Sequence, residues 1–220
     1  MLNKTSLLLA ICLLAAVSVV RSATVTFDCA KVPNICSNDC YAIQCKGKPT
    51  TLHRDSENSS LHRTQNACKS PNRCSGNPDD SNSCDEYPFA SSQEGGAGAV
   101  TRCVPAHENS VQGGTLSSFY SANSIVNGDA YTVAFTSTAG LQYCSSSCTN
   151  TGNELIRKDD HLQSRPNFTQ YNRREFLTDE GHVITMFERV TEPRSLDSLI
   201  GTKTWLAHEE REVTIVASKD

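Results

Sequence analysis

The sequence predicts a small, loop-rich α+β domain stabilised by disulfide bonds. Hydrophobic periodicity gives a strand, a loop, a helix and a strand in that order between residues 84 and 136. Eleven cysteines, against an aromatic content of only 6%, indicate that covalent bridges pin long loops around a modest core. About 198 of the 220 residues remain after an N-terminal leader, which is enough for one domain whose core provides much of the stability.

The N-terminal segment, residues 1–22, has the pattern of a secretory signal peptide. Lys4 precedes an apolar run over residues 7–20, and small residues follow at Ser22 and Ala23. The run is too short to span a membrane comfortably, and no later stretch reaches the roughly 18 apolar residues that a span needs. We therefore expect a secreted, extracellular protein that makes no membrane contact after cleavage.

Ten cysteines remain once Cys12 is removed with the leader, and an even set in an oxidising compartment predicts five disulfides. Zinc binding is the alternative because two C-x3-C pairs are present, but the paired spacings of common zinc modules are absent. Asn58 and Asn167 begin N-x-S/T motifs and predict glycosylation, unless the motifs occur by chance. The ten cysteines are Cys29, Cys36, Cys40, Cys45, Cys68, Cys74, Cys84, Cys103, Cys144 and Cys148.

Residues 23–83 form a cysteine-rich N-terminal region, with a strand predicted at 23–27 and a short one at 41–45. Basic residues outnumber acidic ones between Lys46 and Arg73. The chain without Lys4 and Arg21 has 18 basic and 24 acidic residues, a charge of about −6, which is the wrong sign for a general nucleic-acid binder. The basic segment is thus either a solvated surface or a local phosphate-binding face.

Residues 84–136 are the predicted core. Residues 99–104 and 130–135 alternate as strands do, and residues 116–125 have helical spacing. Asn127-Gly128-Asp129 has the composition of a tight turn, and Gly95-Gly96-Ala97-Gly98 indicates a turn rather than a phosphate cradle. Residues 137–220 form a predicted C-terminal extension, with a hairpin or helix at 183–190 and a terminal strand at 213–217.

Carboxylate and amide side chains are concentrated in the predicted core. Phosphodiester hydrolysis needs a general base and a divalent cation, and oxygen ligands suit a hard cation. Taken singly, each residue is better explained as a surface acid, a helix cap or part of a turn than as a catalytic group. The candidates are Asp85, Glu86, Glu94, Glu108, Asn109, Gln112, Asn123 and Asp129.

Several motifs in this region stand in the order found in the secreted NucA/NucB deoxyribonucleases. They are Cys84-Asp85-Glu86-Tyr87-Pro88-Phe89, Glu94-Gly95-Gly96, Glu108-Asn109 followed by Gln112-Gly113-Gly114, and Asn127-Gly128-Asp129, with weaker similarity at Leu52-His53-Arg54 and residues 63–68. Over residues 50–136 the chain resembles a longer, disulfide-rich, fungal-type member of that family.

The resemblance implies a ββα-metal (His-Me finger-like) nuclease core, in which a base lies at the end of a strand and a cation is held from the following helix. It makes Asp85 the general base and Glu86 a metal ligand or a supporting acid. Glu108 and Asn109 correspond to the family's acidic or amide pair before the helix, with Glu108 counted among the catalytic residues and Asn109 among the metal ligands.

The helix ligand of small bacterial members would fall at Phe119 or Asn123 in this chain. Phe119 cannot bind a cation, so Asn123 is the candidate metal ligand and Gln112 the fallback.

The function implied by the resemblance is a secreted, Mg²⁺- or Mn²⁺-dependent, sequence-nonspecific endonuclease that acts on DNA as a monomer. Arg54, Arg63, Arg73 and His107 are the expected contacts to DNA. Two alternatives stay open. One is a non-catalytic secreted binding or effector protein on the same scaffold. The other is a ribonuclease, because nothing in the sequence shows how a 2′-hydroxyl would be read.

Overall fold

The computed structural model describes residues 23–145, 148–149, 153–156, 171–191 and 195–219. The predicted signal peptide and Asn167 lie outside these residues. The strands are β1 (Ala23–Asp28), β2 (Thr51–His53), β3 (Ser83–Tyr87), β4 (Val100–Val104), β5 (Ala130–Thr136), β6 (Leu155–Ile156), β7 (Tyr171–Thr178), β8 (Val183–Arg189), β9 (Lys203–Leu206) and β10 (Arg211–Ser218). The helices are α1 (Pro33–Cys40), which a π-helical turn continues over Tyr41–Cys45, α2 (Ser59–Gln65), α3 (Ala106–Ala122) and α4 (Gln142–Ser145), with a 3-10 helix at Ser195–Leu199.

Six strands close into a barrel in the order β1-β9-β10-β7-β8-β5, and β5 returns to β1. The closing pair is parallel, with Ala23 opposite Tyr131 and Asp28 opposite Thr136. β2 adds to the N-terminal half of β5, where Leu52 is opposite Tyr131. β7 and β8 form the longest antiparallel pair and run from Tyr171 opposite Arg189 to Leu177 opposite Val183.

The predicted ββα-metal fold class is wrong. The domain is built around the six-stranded barrel, which does not fit that class. The resemblance covers residues 50–136, but β5 is the only barrel strand in that range, and the other five come from residues 23–28 and 171–218. A core predicted from the matching segment alone therefore omits the strands that pair with β5 and close the barrel.

The β1–β5 pair is buried on both faces, which explains why each strand reads as a nearly continuous run of buried residues. Successive side chains on a strand point to opposite faces. Phe27 and Phe135 belong to the larger core, which also includes residues of α1, β3 and α3. Ala134 belongs to a second cluster with Phe176 and Ile184 of the barrel strands. The barrel thus presents one apolar face to the helices and the remaining strands.

The second sheet has three antiparallel strands in the order β3-β4-β6. β3 and β4 pair with Cys84 opposite Cys103 and Asp85 opposite Arg102. α1 packs against both strands, and α3 also contacts β3. The acids of β3 are consequently enclosed by helices, which sets the electrostatics described below.

The prediction of five disulfides is confirmed. Two of the bonds attach α1 and the turn that follows it to the segment around α4, more than 100 residues later in the chain. Two others tie the loop between α2 and β3 to the second sheet. The pairs are Cys29 with Cys36, Cys40 with Cys144, Cys45 with Cys148, Cys68 with Cys84, and Cys74 with Cys103.

The predicted strands near residues 23–27, 99–104 and 130–135 are confirmed as β1, β4 and β5. The strand predicted at 41–45 is wrong, because Tyr41–Cys45 continues α1 as a helix. α3 begins at Ala106, ten residues before the predicted helix. None of the described helices is long and apolar enough to cross a membrane.

Candidate functional site

A cleft of about 340 Å³ opens between β3, the loop that follows it, and one face of α3. Its polar lining comes from Arg54, Arg63, Glu86, Asn109 and Gln112, and Tyr120 of α3 forms part of the wall. A second cavity of about 290 Å³ lies between β2, β7 and β8 and contains none of the predicted site residues. The cleft beside β3 is therefore the candidate site.

Asp85 lies immediately behind the cleft and is only 1% exposed. Its Oδ2 accepts a hydrogen bond of 2.8 Å from the Asn38 side-chain amide of α1. Burial raises the pKa of Asp85 to about 7, while the hydrogen bond from Asn38 and the nearby side-chain amide of Gln112 oppose the rise. A carboxyl group with a pKa near neutrality is suited to accept a proton and release it again near physiological pH.

Glu86 faces the cleft itself, with 14% of its side chain exposed. Burial, followed by repulsion from Asp85, raises the pKa of Glu86 to about 8. Arg63 opposes this rise, and its Nε lies 3.9 Å from Glu86 Oε1. The two adjacent acids therefore differ in access, because Glu86 reaches the cleft whereas Asp85 lies behind it.

A third acid, Asp39 of α1, belongs to the same environment and is not among the residues predicted from the sequence. Asp39 is 0% exposed, and neither carboxylate oxygen has a hydrogen-bond partner among the described residues. Burial first, and then the negative charges of Asp85 and Glu86, raise its pKa well above the usual range. No local motif could have identified Asp39, because the packing of α1 on β3 brings it to a site 46 positions away along the chain.

Two predicted residues at the start of α3 point in different directions. Asn109 donates from Nδ2 to Ser83 Oγ and to the Cys84 carbonyl, both at 2.9 Å. These bonds use both amide hydrogens, which leaves the amide oxygen as the polar side-chain atom able to contact a ligand. Glu108 instead accepts bonds of 2.8 and 3.3 Å from the backbone N–H groups of Asn34 and Ile35 at the start of α1. A carboxylate stabilises that end of a helix.

The structure does not bring Asn123 or His107 to the cleft. Asn123 caps the end of α3 and donates to the Phe119 carbonyl at 3.0 Å. It lies eleven residues after Gln112, which is roughly 16 Å along a helix. His107 is exposed in the first turn of α3 and is not part of the cleft lining. Gln112, predicted as the fallback ligand, does line the cleft.

Of the three predicted DNA-binding arginines, Arg54 and Arg63 lie at the cleft. The Arg54 guanidinium carbon is 4.1 Å from the centre of the Tyr120 ring, a stacked cation–π arrangement. Arg73 instead binds the second sheet, where Nη2 donates to the Thr101 carbonyl at 2.9 Å. The cleft therefore combines two cationic groups with one acid.

The short motifs around the cleft fix the backbone at Arg54. Glu94 accepts a bond of 2.9 Å from the His53 backbone N–H and lies 2.6 Å from its imidazole Nδ1. The Arg54 backbone N–H donates to the Asp129 carbonyl, and the Gly128 N–H donates to the Arg54 carbonyl, both at 2.8 Å. These motifs thus act at the site by holding Arg54 in place.

Gly95 is required by close packing in the same turn. A Cβ atom at this position would overlap the Phe89 carbonyl oxygen. Any larger residue would force the backbone of residues 89–95 to shift.

The cleft offers oxygen donors for a cation from Glu86, Asn109 and Gln112, and such donors suit a hard divalent ion. A separate group with metal-ligand spacing lies elsewhere in the described structure and consists of Glu180, His182 and Glu209. These three residues lie on the barrel turns, outside the cleft lining.

Comparison with known proteins matches the segment that forms the cleft to a nuclease family. Residues 39–134 match the family model described as Deoxyribonuclease NucA/NucB. The matched range includes Asp39, β3, the whole of α3 and most of β5, and therefore every residue that lines the cleft. No curated protein matches the chain.

Proposed function

We propose that this protein is a secreted, metal-dependent, sequence-nonspecific DNA endonuclease, because residues 39–134 match the NucA/NucB deoxyribonuclease family model. The observation that supports this most directly is the cleft in which Glu86, with Asp85 behind it, faces Arg54 and Arg63. The disulfide-rich structure is consistent with secretion.

In this proposal Asp85 is the general base. It accepts a proton from the water that attacks the phosphorus atom, and a pKa of about 7 allows this at neutral pH. Asn38 holds one carboxylate oxygen, which orients the carboxyl group. Because Asp85 is 1% exposed, the attacking water must enter from the cleft past Gln112, which lines the cleft and interacts with Asp85.

Glu86, Asn109 and Gln112 are the proposed ligands of Mg²⁺ or Mn²⁺, with Glu86 supplying the negative charge. A hard cation bound there would neutralise the charge that develops on the phosphate and on the leaving oxygen. Asn109 is suited to this role because β3 takes both of its amide hydrogens, which fixes the direction of its oxygen.

Arg54 and Arg63 are the proposed phosphate contacts at the cleft. The Arg54 guanidinium is held by Tyr120 and by the Ser91 carbonyl, to which Nη1 donates at 3.2 Å. We assign Glu108 a positioning role, because its carboxylate binds the start of α1 and so holds the helix that carries Asn38 and Asp39.

The direct test is incubation of the purified protein with supercoiled plasmid in Mn²⁺, in Mg²⁺ or in EDTA. The proposal predicts nicking and then linearisation with either cation and no cleavage in EDTA. Equal cleavage in EDTA would contradict metal dependence. Absence of cleavage under all conditions would support the non-catalytic binding protein, and a strong preference for a single-stranded RNA substrate would support the ribonuclease.

A further inference from the structure

Two turns of the barrel bring three metal-ligand side chains together. The β7–β8 turn carries Glu180 and His182, and the β9–β10 turn carries Glu209. One ligand atom from each residue lies within 4.8 Å of the others. We propose that these residues form a zinc-class metal site, separate from the nuclease cleft.

The donor set points to a transition metal rather than to Mg²⁺. An imidazole with carboxylates suits Zn²⁺, whereas Mg²⁺ prefers oxygen donors alone. Zinc lies about 2 Å from each ligand atom, so two ligands span at most about 4 Å. Small rotations bring these groups to that spacing, because Glu180, with 44% of its side chain exposed, can move.

A second histidine supports the arrangement. His182 Nε2 lies 3.4 Å from Glu209 Oε1, and His208 Nε2 lies 3.2 Å from the same oxygen. The two rings approach each other edge to face, with centroids 6.4 Å apart. Second-shell groups of this kind orient a ligating carboxylate, and their loss typically weakens metal binding about 10- to 100-fold. We assign this role to His208, whose side chain is 15% exposed.

Arg211 provides the competing interpretation, which is an ion-pair cluster without metal. Its guanidinium contacts both Glu180 and Glu209. The contacts to Glu209 are made through Oε2, whereas both histidines approach Oε1. The two carboxylate oxygens of Glu209 therefore have different partners, so Oε1 can bind a cation while Oε2 remains bonded to Arg211.

The site lies outside residues 39–134, so it does not depend on the proposed nuclease function. A metal bound to both turns would join the β7–β8 and β9–β10 hairpins at one end of the barrel. These hairpins already meet through the bond of 2.9 Å that the Thr214 N–H donates to the Asp179 carboxylate. The expected effect of the metal is stabilisation of the barrel.

The test is calorimetric titration of Zn²⁺ into tag-free, EDTA-dialysed protein, together with thermal unfolding at the same metal concentrations. We expect one equivalent to bind, with affinity at least about tenfold weaker in His182→Ala and Glu209→Gln and about 10- to 100-fold weaker in His208→Gln. Glu86→Gln is the control for zinc bound in the cleft, and this variant should still bind the one equivalent of zinc at the barrel turns. Arg211→Met removes the competing cation and should bind zinc as tightly as the wild type or more tightly.

Far-UV circular dichroism separates a variant that fails to fold from one that has lost only the metal site. Glu180→Gln provides a further variant, at an exposed position. The proposal is overturned if no zinc binds with this stoichiometry, or if His182→Ala binds zinc as the wild type does. It is also overturned if the variants lower the unfolding temperature by the same amount with and without zinc, since an ion-pair cluster alone would give that result.

Discussion

When no divalent cation is present, the stability that Asp85→Asn gains over the wild type should be larger at pH 8 than at pH 4. The folded pKa of about 7 lies above the ordinary value of 3.8. Between these values the folded state binds more protons than the unfolded state, so the wild type loses stability as pH rises through this window. Asparagine cannot ionise, and the variant therefore lacks this loss.

The magnitude follows from the size of the shift. A rise from 3.8 to about 7 is close to three pKa units, and each unit corresponds to about 1.4 kcal/mol, so the gain of the variant over the wild type should grow by roughly 4 kcal/mol between pH 4 and pH 8. Asp85 is 1% exposed, so solvent screening does not reduce this figure. Repulsion between Asp85 and Glu86 acts in the same direction, because the variant also makes Glu86 easier to ionise.

Urea unfolding of both proteins in EDTA at pH 4 and pH 8 measures this difference. Comparing the two pH values removes any pH-independent effect of the substitution on packing. Asp80→Asn is the matched control, because Asp80 is exposed in the loop before β3. A stability difference between variant and wild type that changes by less than about 1 kcal/mol with pH would refute the inference that burial sets the protonation of Asp85.

Three further predictions concern the surroundings of the acids. For duplex DNA, the double variant Arg54→Ala, Arg63→Ala should reduce the magnitude of the slope of log binding constant against log salt concentration by about 2, because two phosphate contacts are lost. Arg73→Ala should leave the slope unchanged. An unchanged slope in the double variant would contradict the assignment. Asp39→Asn should lose less stability than the wild type as pH rises from about 4, because the Asp39 carboxyl ionises near its ordinary pKa of 3.8 in the unfolded chain but only at a much higher pH in the folded protein; parallel pH–stability curves would count against this. Glu108→Gln should cost about 1–2 kcal/mol of stability, because its hydrogen bonds to the start of α1 become weaker. The folded variant should cleave DNA within a few fold of the wild-type rate. A rate loss of 100-fold or more would instead show a direct catalytic role.

Local pattern was sufficient to predict the strands whose side chains alternate or are continuously apolar. β1, β4 and β5 were found this way, and the even cysteine count predicted the five disulfides. Tyr41, Ala42 and Ile43 were predicted as a strand but are helical. A short buried apolar run has the same composition in a helix as in a strand, so periodicity could not separate the two.

The start of α3 was missed because its first half lacks an apolar stripe and contains Gly113 and Gly114, which are poor helix formers. The barrel could not be predicted because its closure depends on contacts between distant strands. β1 pairs with β9, placing Val25 opposite Trp205, and no local pattern specifies that contact.

The sequence motifs predicted the site residues that they contain, but not the residues that reach the site through packing of distant segments. Asp85, Glu86, Asn109 and Gln112 were identified from the motifs, and the structure places all four at or directly behind the cleft. Asn38 and Asp39 reach the site only because α1 packs on β3, and no local sequence pattern indicates that contact.

The central claim is that Asp85 is the general base of a DNA-cleaving site, and the rate of plasmid cleavage at pH 8 in saturating Mn²⁺ tests it most directly. Loss of a general base typically costs 10²- to 10⁴-fold, so Asp85→Asn should fall by at least about 100-fold while remaining folded. Glu86→Gln, as a ligand variant, should recover part of its activity as the Mn²⁺ concentration is raised, and Asp80→Asn should match the wild type. An Asp85→Asn variant that cleaves within about tenfold of the wild-type rate would contradict the assignment.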